Sequence, residues 1–472
     1  MPSLNARRKR SKKLEGSGLK FEEFLKNLPE VRAPDRRLNF EERLKWTGIV
    51  LLLYFALSMV PLYGLSPTYV ARFQTLSILL AANFGSLITL GIGPIVTGSI
   101  ILQLLVGAEV INIDTKTREG RALYQGLQKL FSIFFIVFEN GIYAFSGALP
   151  PIQPTLYYRS LLALQLILAG LLLMFLDEIV SKWGIGSGIS LFIAAGVSRQ
   201  IFVNAFSPFE SPTGLPVGRV LQVFALIAQG FVTQAFLPLI TILSTLFVFA
   251  LSIYLQSIKV EIPLSFGRIR GFSLKWPLSF VYTSNIPVIL TASLLVSLQV
   301  WGSMLYHAGV PILGTFTQQG GTEVPESGLV KYLTPPRISS LIFSPTTDDF
   351  LSLLVYALFM LGGSVLFSVL WVQIGGQDAS TIADQILEYN LTIPGFRSDR
   401  RILEHILSRY INPLAVMGGF SVGFLAVIAD LFDALSRGTG ILLTVMIIYN
   451  FYEIIRRQYA KELPPWMASF FR

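Results

Sequence analysis

Long apolar runs separated by short polar stretches make up most of this chain. Ten of these runs have about the length, roughly 20 residues, that an α-helix needs to cross the hydrocarbon core of a bilayer. They predict ten transmembrane helices, at about residues 47–66, 85–106, 125–147, 156–176, 185–206, 236–256, 280–301, 350–372, 413–432 and 438–455. The expected fold class is therefore an all-α polytopic membrane protein.

The composition supports this interpretation. Of the 472 residues, 53% are hydrophobic and only 14% are charged, whereas an ordinary soluble chain carries about 25% charged residues. A length that would suggest two or three soluble domains therefore indicates one membrane bundle. The first apolar run begins near Thr47 after a long charged segment, so we expect it to be a permanent span rather than a cleavable signal peptide.

No pattern in the sequence indicates catalysis. Cysteine is absent, which excludes a disulfide framework, thiol catalysis and a Cys-based metal site. His307 and His405 are too far apart in sequence to suggest a metal site, and neither a P-loop nor a catalytic triad is present. We therefore expect no cofactor, no metal and no enzymatic activity.

Lysine and arginine are distributed unevenly between the two sides of the predicted bundle. With the N-terminus inside, 30 of the 37 fall in inner segments. The other seven lie outside, and they are Arg72, Arg159, Arg199, Arg219, Lys331, Arg337 and Arg437. The positive-inside rule then places both termini in the cytoplasm.

The segment before the first span divides into two parts. Residues 1–18 are rich in Lys and Arg and predict a disordered basic tail that attracts anionic lipid or RNA. In residues 19–46, Phe21, Phe24, Leu25 and Leu28 recur at the spacing of one helical face. This pattern predicts an amphipathic helix on the inner membrane surface.

An even count of ten spans divides into two sets of five. The N-terminal half would cover residues 47–206 and the C-terminal half residues 236–455, joined by an outer connection at 207–235 and followed by a cytoplasmic tail at 456–472. An odd number of spans per half forces the halves to insert with opposite orientations. This is the geometry of an inverted repeat.

The predicted second span contains the glycine-rich stretch GSLITLGIGPIVTGSIILQLLVG. Its glycines either pack against a neighbouring helix or line a pore. Ile92 and Val96 are four residues apart and share a helical face, as do Ile185 and Ile189 in WGIGSGISLF. Two bulky apolar pairs framed by glycines could form a constriction.

The apolar segment at residues 73–84, FQTLSILLAANF, is too short to span a membrane. It is either a re-entrant half-helix shielded by protein or the start of a long, tilted second span. Glu139 lies in the predicted third span, where a carboxyl group is either functional or a structural hydrogen-bonding group.

Two inner segments carry clusters of basic residues. The first, between the sixth and seventh spans, contains Lys259, Arg268, Arg270 and Lys275, and the second contains Arg397, Arg400, Arg401 and Arg409. For any single arginine, fixing the topology is the simpler role. Together, two long basic loops on one face also form a platform for a polyanion such as ribosomal RNA.

Several stretches together resemble the SecY family, which includes the alpha subunit of the eukaryotic endoplasmic-reticulum translocon. They occur in family order from about Leu19 to the C-terminus, and they read LKWTGIVLLLYF, ITLGIGPIVTGSIILQLLVG, LDEIVSKWGIGSGISLFIAAGVS, IPLSFGRIRG, FVYTSNIPVIL and RGTGILLTV. Their form is closer to the archaeal and eukaryotic branch than to the bacterial one.

The resemblance implies ten helices in two inverted pseudo-symmetric halves enclosing an hourglass pore. The pore ring it implies consists of Ile92, Val96, Ile185, Ile189, Ile289 and Leu443. The plug it implies lies in residues 73–84 and includes Phe73, Leu76, Ile78, Leu79, Leu80, Ala81, Ala82 and Phe84. A lateral gate between the second and third spans and the seventh and eighth would carry polar Thr97, Glu139 and Ser297.

By the same resemblance, the function is that of the central pore-forming subunit of the Sec translocon. The implied partners are a SecE-type (gamma) subunit with one span, a small beta subunit, the ribosome, nascent polypeptides and the lipid bilayer. The ribosome would bind the two basic loops, through Lys259, Arg268, Arg270, Lys275, Arg397, Arg400 and Arg401. The implied location is the cell (plasma) membrane.

A different class remains open from the residues alone. An inverted-repeat secondary transporter also uses helices broken by Gly and Pro, but it normally needs polar or ionisable groups at its midplane site. The predicted centre here is lined by isoleucine. A membrane-embedded enzyme, the third class, would need a catalytic constellation.

Overall fold

The structure is a computed structural model. It describes residues 29–66, 85–107, 110–111, 113, 117–145, 149–210, 214–266, 273–283, 286–307, 310–319, 322–336, 341, 346–374, 376–388, 391–392, 399–436 and 438–459. The predicted basic tail, the predicted plug and the C-terminal residues 460–472 lie outside these ranges.

Helices dominate the described residues. They are α1 (Phe40–Met59), α2 (Gly93–Gly107), α3 (Arg118–Phe145), α4 (Leu156–Trp183), α5 (Gly188–Phe206), α6 (Arg219–Ala228), α7 (Val232–Ser257), α8 (Ile286–His307), α9 (Leu329–Tyr332), α10 (Thr347–Ile374), α11 (Ala379–Glu388), α12 (Arg400–Leu431) and α13 (Gly438–Gln458). The strands are β1 (Lys259–Phe266), β2 (Ser273–Ser279), β3 (Phe316–Gln319), β4 (Thr322–Pro325) and β5 (Leu391–Thr392).

The described residues form two compact units. Unit 1 comprises the described parts of Met1–Ser77, Ala82–Phe192 and Ile454–Arg472, and unit 2 comprises those of Ile193–Glu453. The boundary falls inside α5 and again inside α13. The domain limits that we expected at residues 206 and 236 therefore stay a prediction.

Small residues bring the helices of each unit together. In unit 1, Gly170 of α4 approaches α3 so closely that an added Cβ would lie 2.8 Å from the Ile136 side chain. In unit 2, Gly419 and Gly423 lie one turn apart on α12 and face Ser368 and Ser364 of α10. An added Cβ at Gly419 would lie 2.7 Å from the Ser368 side chain, and one at Gly423 would lie 2.9 Å from the Ser364 side chain. Close packing through small residues is the usual basis of helix association in membranes.

Apolar clusters fill the spaces between the packed helices. In unit 2, α7, α8, α10, α12 and α13 share a cluster that includes Val248, Val288, Met360, Leu425, Ile441 and Val445. In unit 1, the ends of α3 and α4 join the segment after α1 through Leu62, Leu65, Ala144, Leu149, Leu162 and Leu166.

A helix overlaps each of the ten predicted apolar segments in the described part of the chain. Five of these helices are long and apolar enough to cross a membrane, namely Leu156–Trp183, Gly188–Phe206, Val232–Ser257, Thr347–Gln373 and Arg400–Leu431. The crossing of all ten and their division into two inverted halves stay a prediction.

Several of the expected helix boundaries are wrong. The second span was expected from residue 85, but residues 85–92 form consecutive turns and α2 begins only at Gly93. The turns are fixed by the segment after α1, where the Leu62 amide donates to the Gly85 carbonyl at 2.8 Å and the Leu87 amide to the Val60 carbonyl at 3.0 Å. Gly91 has a φ of 56°, a conformation that favours glycine.

The amphipathic helix expected at residues 19–46 is also corrected. Residues 29–39 are not helical, and residues 40–46 form the first turns of α1. Polar contacts with α3 and α4, described below, hold residues 29–32 against these two helices. The part of the prediction that carried Phe21, Phe24, Leu25 and Leu28 lies outside the described residues.

A small antiparallel sheet replaces the expected loop between the sixth and seventh spans. Its strand order is β2-β1-β5, with Ile262 opposite Trp276 and Ser265 opposite Thr392. Ile262 is 4% exposed and Leu264 is fully buried. These side chains pack against α11 and the first half of α12.

The second basic segment is also more ordered than expected. The ninth span was expected from residue 413, but α12 runs without interruption from Arg400 through Pro413. Leu407, Ile411 and Leu414 of this helix are buried, so packing on the sheet and on α11 maintains the helix across the proline.

Candidate functional site

Ile92 and Val96 lie at the start of α2, in unit 1. The Val96 amide donates to the Ile92 carbonyl at 3.0 Å. Ile92 therefore accepts a helical hydrogen bond from α2, although it directly precedes the first residue of that helix. Both side chains are partly exposed, while Ile95 between them is 3% exposed. The predicted face sharing of Ile92 and Val96 is therefore consistent with this geometry.

The glycines of this stretch have different environments. A Cβ at Gly98 would lie 2.9 Å from the Phe131 carbonyl carbon and 2.9 Å from the Ser132 nitrogen, so α2 contacts the α3 backbone there. A Cβ at Gly93 would meet nothing within 4 Å. Gly98 therefore serves helix packing, the first of the two roles considered for these residues.

The two candidate gate residues of unit 1 contact each other. The side chains of Thr97 on α2 and Glu139 on α3 are close enough to interact. The Thr97 hydroxyl also lies 3.1 Å from the Gly93 carbonyl of its own helix. Ser297, the third candidate, lies on α8 in unit 2.

Ile185 and Ile189 do not share a helical face, because only Ile189 is in α5. Ile185 precedes the helix in a turn between α4 and α5, where its amide donates to the Thr47 hydroxyl at 3.1 Å. Its side chain is 5% exposed, whereas that of Ile189 is partly exposed. The face-sharing argument is therefore wrong for this pair.

A carboxylate fixes the start of α5. Asp177 of α4 accepts a hydrogen bond from the Ile189 amide at 2.8 Å, and a Cβ at Gly188 would lie 2.5 Å from the Asp177 Cα. A negative charge next to a helix N-terminus is stabilised by the exposed amides. Asp177 therefore sets the position of Ile189, a role that the sequence did not reveal.

Ile289 and Leu443, the other two candidate ring residues, lie in unit 2. Ile289 follows the buried Val288 in the first turns of α8. Leu443 on α13 stands between the buried Leu442 and Thr444. Both Ile289 and Leu443 are themselves partly exposed.

The basic residues of the sheet are paired with carboxylates of the same chain. Lys259 lies 2.9 Å from Glu453, and Lys275 lies 2.6 Å from Glu261 across the hairpin. The hydrogen bond to Glu261 raises the pKa of Lys275 above its usual value. Arg268 and Arg270 lie outside the described residues.

The second basic segment presents one neutralised and one exposed charge. Arg400 binds Asp384 through two nitrogens, at 2.6 and 3.1 Å, and donates to the Ser380 hydroxyl at 2.7 Å. Arg401 follows in the first turn of α12 with an exposed side chain. Arg397 lies outside the described residues.

Residues that the sequence predicted to be part of an amphipathic helix instead form polar contacts in unit 1. Residues 29–38, which we call the strap, are joined to the C-terminal end of α4. Lys182 pairs with Glu30 and donates to the Val31 carbonyl at 2.6 Å, while the Trp183 indole donates to the Arg32 carbonyl at 2.8 Å. The hydrogen bond from Lys182 lowers the pKa of Glu30.

A second, less exposed ion pair reinforces the strap. Lys129 of α3 pairs with Glu178 of α4, and their side chains are only 12% and 17% exposed. Glu178 also accepts a hydrogen bond from the Val31 amide at 2.9 Å, and Lys129 donates to the Pro29 carbonyl. Long-range pairs of this kind leave no local pattern in a sequence.

Comparisons with known proteins identify the family. A family model described as SecY matches residues 86–452. Protein translocase subunit SecY of Methanothermobacter thermautotrophicus is 45% identical over 458 residues, which cover 96% of this chain and 98% of that protein. The chain belongs to the SecY family. A model described as the plug domain of Sec61p matches residues 52–85, which contain the predicted plug.

Solved structures of the SecY family have the same fold. One is described as showing that the plug domain of the SecY protein stabilizes the closed state of the translocation channel and maintains a membrane seal. It is 42% identical to this chain, with a TM-score of 0.75, and covers 94% of this chain and 98% of that one. Sec61 in the canine ribosome–channel complex from the endoplasmic reticulum is also 42% identical, with a TM-score of 0.72 and the same coverage.

Proposed function

We propose that this chain is the central pore-forming subunit of a Sec translocon. It passes unfolded secretory polypeptides across the membrane and releases hydrophobic segments laterally into the bilayer. The observation that carries this conclusion is the match to SecY along 96% of the chain at 45% identity. Membership in the SecY family favours the channel over the secondary transporter, which was the alternative that the sequence pattern alone left open.

Ten helices in two inverted halves of five are the proposed membrane architecture, with both termini in the cytoplasm. The helices that overlap the ten apolar segments support it, as does the excess of basic residues in the inner segments. The chain lacks native cysteine, so a single Cys at Ser265 in β1 tests the topology directly. We expect labelling from the cytoplasmic side only, and labelling from outside would contradict the orientation.

The proposed constriction is an apolar ring of Ile92, Val96, Ile185, Ile189, Ile289 and Leu443. The partial exposure of five of the six supports a lining role. An apolar ring blocks ions because an ion in it loses its hydration and finds no polar group in exchange. The ring needs no charge, and it fits loosely around an extended chain.

The proposed plug lies within residues 73–84, and the match to a plug-domain model over residues 52–85 supports it. Thr97, Glu139 and Ser297 are the proposed polar residues of the lateral gate, and the proximity of the Thr97 and Glu139 side chains supports a closing contact there. A signal sequence that binds the open state better than the closed state then shifts the population toward the open state.

The proposed partners are a SecE-type subunit, a small beta subunit and the translating ribosome, and the proposed location is the cell membrane. Arg268 and Arg270, together with Arg401 on α12, are the proposed ribosome contacts. The exposure of Arg401 supports its part in this. Protein transport then takes its energy from these partners, because the channel supplies only a path.

A translocation assay tests the function. The chain is reconstituted in liposomes with its small subunits and programmed with ribosomes that synthesise a secretory protein. We expect the product to become protected from added protease when the signal sequence is intact, and to remain accessible when that sequence is replaced by a polar one. Equal accessibility in both cases would contradict the proposed function.

A further inference from the structure

The length of α13 sets the depth of the turn between α12 and α13. Near the C-terminal end of α13, Glu453 pairs with Lys259, the first charged residue after α7. In the proposed architecture this pair lies at the inner edge of the hydrocarbon core. From Glu453 back to Gly438, α13 rises at most about 22 Å, at 1.5 Å per residue. Because the core is about 30 Å thick, the turn lies at least about 8 Å below its outer edge.

The first half of α7 extends outward past this turn. The Leu435 amide in the turn donates to the Thr245 hydroxyl at 2.9 Å, and Thr245 lies midway along α7. After Thr245, α7 contributes Val248 to the apolar cluster of unit 2 and runs toward Lys259. Before Thr245, about 20 Å of helix therefore stands beyond the ends of α12 and α13.

A second helix, α6, stands beside this part of α7. The two helices pack against each other, and the turn between them contains Gly230, whose φ of 84° favours glycine. Arg219 in the first turn of α6 lies 3.4 Å from Asp433, which follows α12, so the base of α6 lies at the depth of that turn. With ten residues, α6 rises about 15 Å. We call α6 and residues 229–244 the outer hairpin.

The outer hairpin exposes an apolar stripe. Phe224, Ile227 and Phe231 follow one another at intervals of three and four residues and so lie on one side. Their exposed fractions are 67%, 51% and 51%, and Val232 continues the stripe onto α7 at 57%. No charged residue occurs between Arg219 and Lys259. An apolar surface of this kind is unfavourable in water, so it requires an apolar partner.

The polar groups of α6 lie on the other side of the helix. The Arg219 guanidinium donates to the Gln222 side chain at 3.0 Å and also pairs with Asp433. At 100° per residue, Arg219 and Gln222 are on the side of α6 opposite to Phe224. Charged groups at membrane depth usually pair in this way and turn away from lipid.

We propose that α6 is a half-span of the outer leaflet, whose stripe of Phe224, Ile227 and Phe231 contacts the acyl chains of membrane lipids. The outer connection that we expected at residues 207–235 would then be partly embedded rather than an aqueous loop. The inference rests on the proposed membrane architecture. It gives α6 a role, because the outer hairpin fills the layer above the α12–α13 turn, which α12 and α13 do not reach.

Spin labels on single cysteines test this placement, since the chain has no native cysteine. The label replaces Phe224 or Ile227, with Gln222 as the matched position on the polar side of the same helix. Leu246, 60% exposed on the second half of α7, is the lipid reference, and Glu326, exposed in an outer segment, is the water reference. The chain is reconstituted in liposomes with its small subunits, and collisions with oxygen and with a water-soluble nickel complex are measured.

We expect labels at 224 and 227 to resemble the label at 246, with collisions with the nickel complex at least about tenfold fewer than at 326, because polar solutes enter hydrocarbon poorly. The label at 222 should collide with oxygen less than the label at 224. Free access of the nickel complex to 224 would overturn the half-span. Few collisions with either reagent at 224 would show that protein covers the stripe, which would overturn lipid as its partner. Cytoplasmic labelling of Ser265→Cys tests the topology separately, so these outcomes leave the proposed channel intact.

Discussion

The strap provides a stability test that depends on the least exposed ion pair described above. In Glu178→Gln, the shape of the side chain is kept, but Lys129 retains a positive charge that is only 12% exposed. Breaking a buried pair by removing one partner costs about 3–5 kcal/mol. Since both groups keep some contact with water, we expect about 2 kcal/mol for this pair.

Release of the strap is the expected consequence, because Glu178 also accepts the Val31 amide. A cost of about 2 kcal/mol raises the population of the open strap about 30-fold. The assay is the rate of tryptic cleavage after Arg32, measured on the reconstituted protein in its native state. When opening and closing are fast, this rate follows the open population.

Two variants set the scale for this measurement. Glu30→Gln breaks a pair in which the Glu30 side chain is 66% exposed, so we expect less than about a fivefold increase. Glu41→Gln removes the same charge from an exposed position in the first turn of α1, and we expect no change at Arg32. A Glu178→Gln rate equal to that of either control would refute the importance assigned to the buried pair.

Further predictions concern pH, packing and ribosome binding. Because the pKa of Glu30 is lowered from 4.5, its ion pair stabilises the strap above that pH, and the hydrogen-exchange protection factors of the strap amides should decrease only as pH falls below about 4.5. Gly98→Val should lower the thermal unfolding midpoint, since overpacking costs about 1–3 kcal/mol, while Gly93→Ala should leave it unchanged. Ribosome co-sedimentation should weaken more for Arg401→Gln than for Lys275→Gln, because only Lys275 is already neutralised by an ion pair; equal effects would contradict this ranking.

Hydrophobic periodicity predicted the helices well because each one must present apolar residues to lipid or to a neighbour. It failed at helix ends that are determined by distant partners. The turns before Gly93 are held by the segment after α1, and the turn containing Ile185 is held by Thr47. No window of local sequence contains both partners of such contacts.

The sheet was not predicted, although the sequence of β1 contains the alternating pattern of a strand. Val260, Ile262 and Leu264 alternate with polar or proline residues in KVEIPLSF, which is the period of a half-buried strand. Basic residues and turn formers around this stretch favoured a loop instead. The ion pair of Lys259 could not be predicted in the same way, because its partner Glu453 lies 194 residues away along the chain.

The central claim is that an apolar ring seals the resting channel, and ion conductance tests it most directly. Ile92→Asn combined with Ile189→Asn introduces polar groups into the proposed ring at two partly exposed positions. Ile185 is avoided because it is 5% exposed, and a buried Asn there would threaten folding. Leu164→Asn, at a side chain 53% exposed on α4, is the matched control.

The measurement is the resting conductance of planar bilayers that contain the chain with its small subunits. Wetting of the ring should raise the conductance of the double variant well above that of the wild type, while Leu164→Asn stays closed. A folded double variant that remains as ion-tight as the wild type would contradict the claim that these residues form the seal.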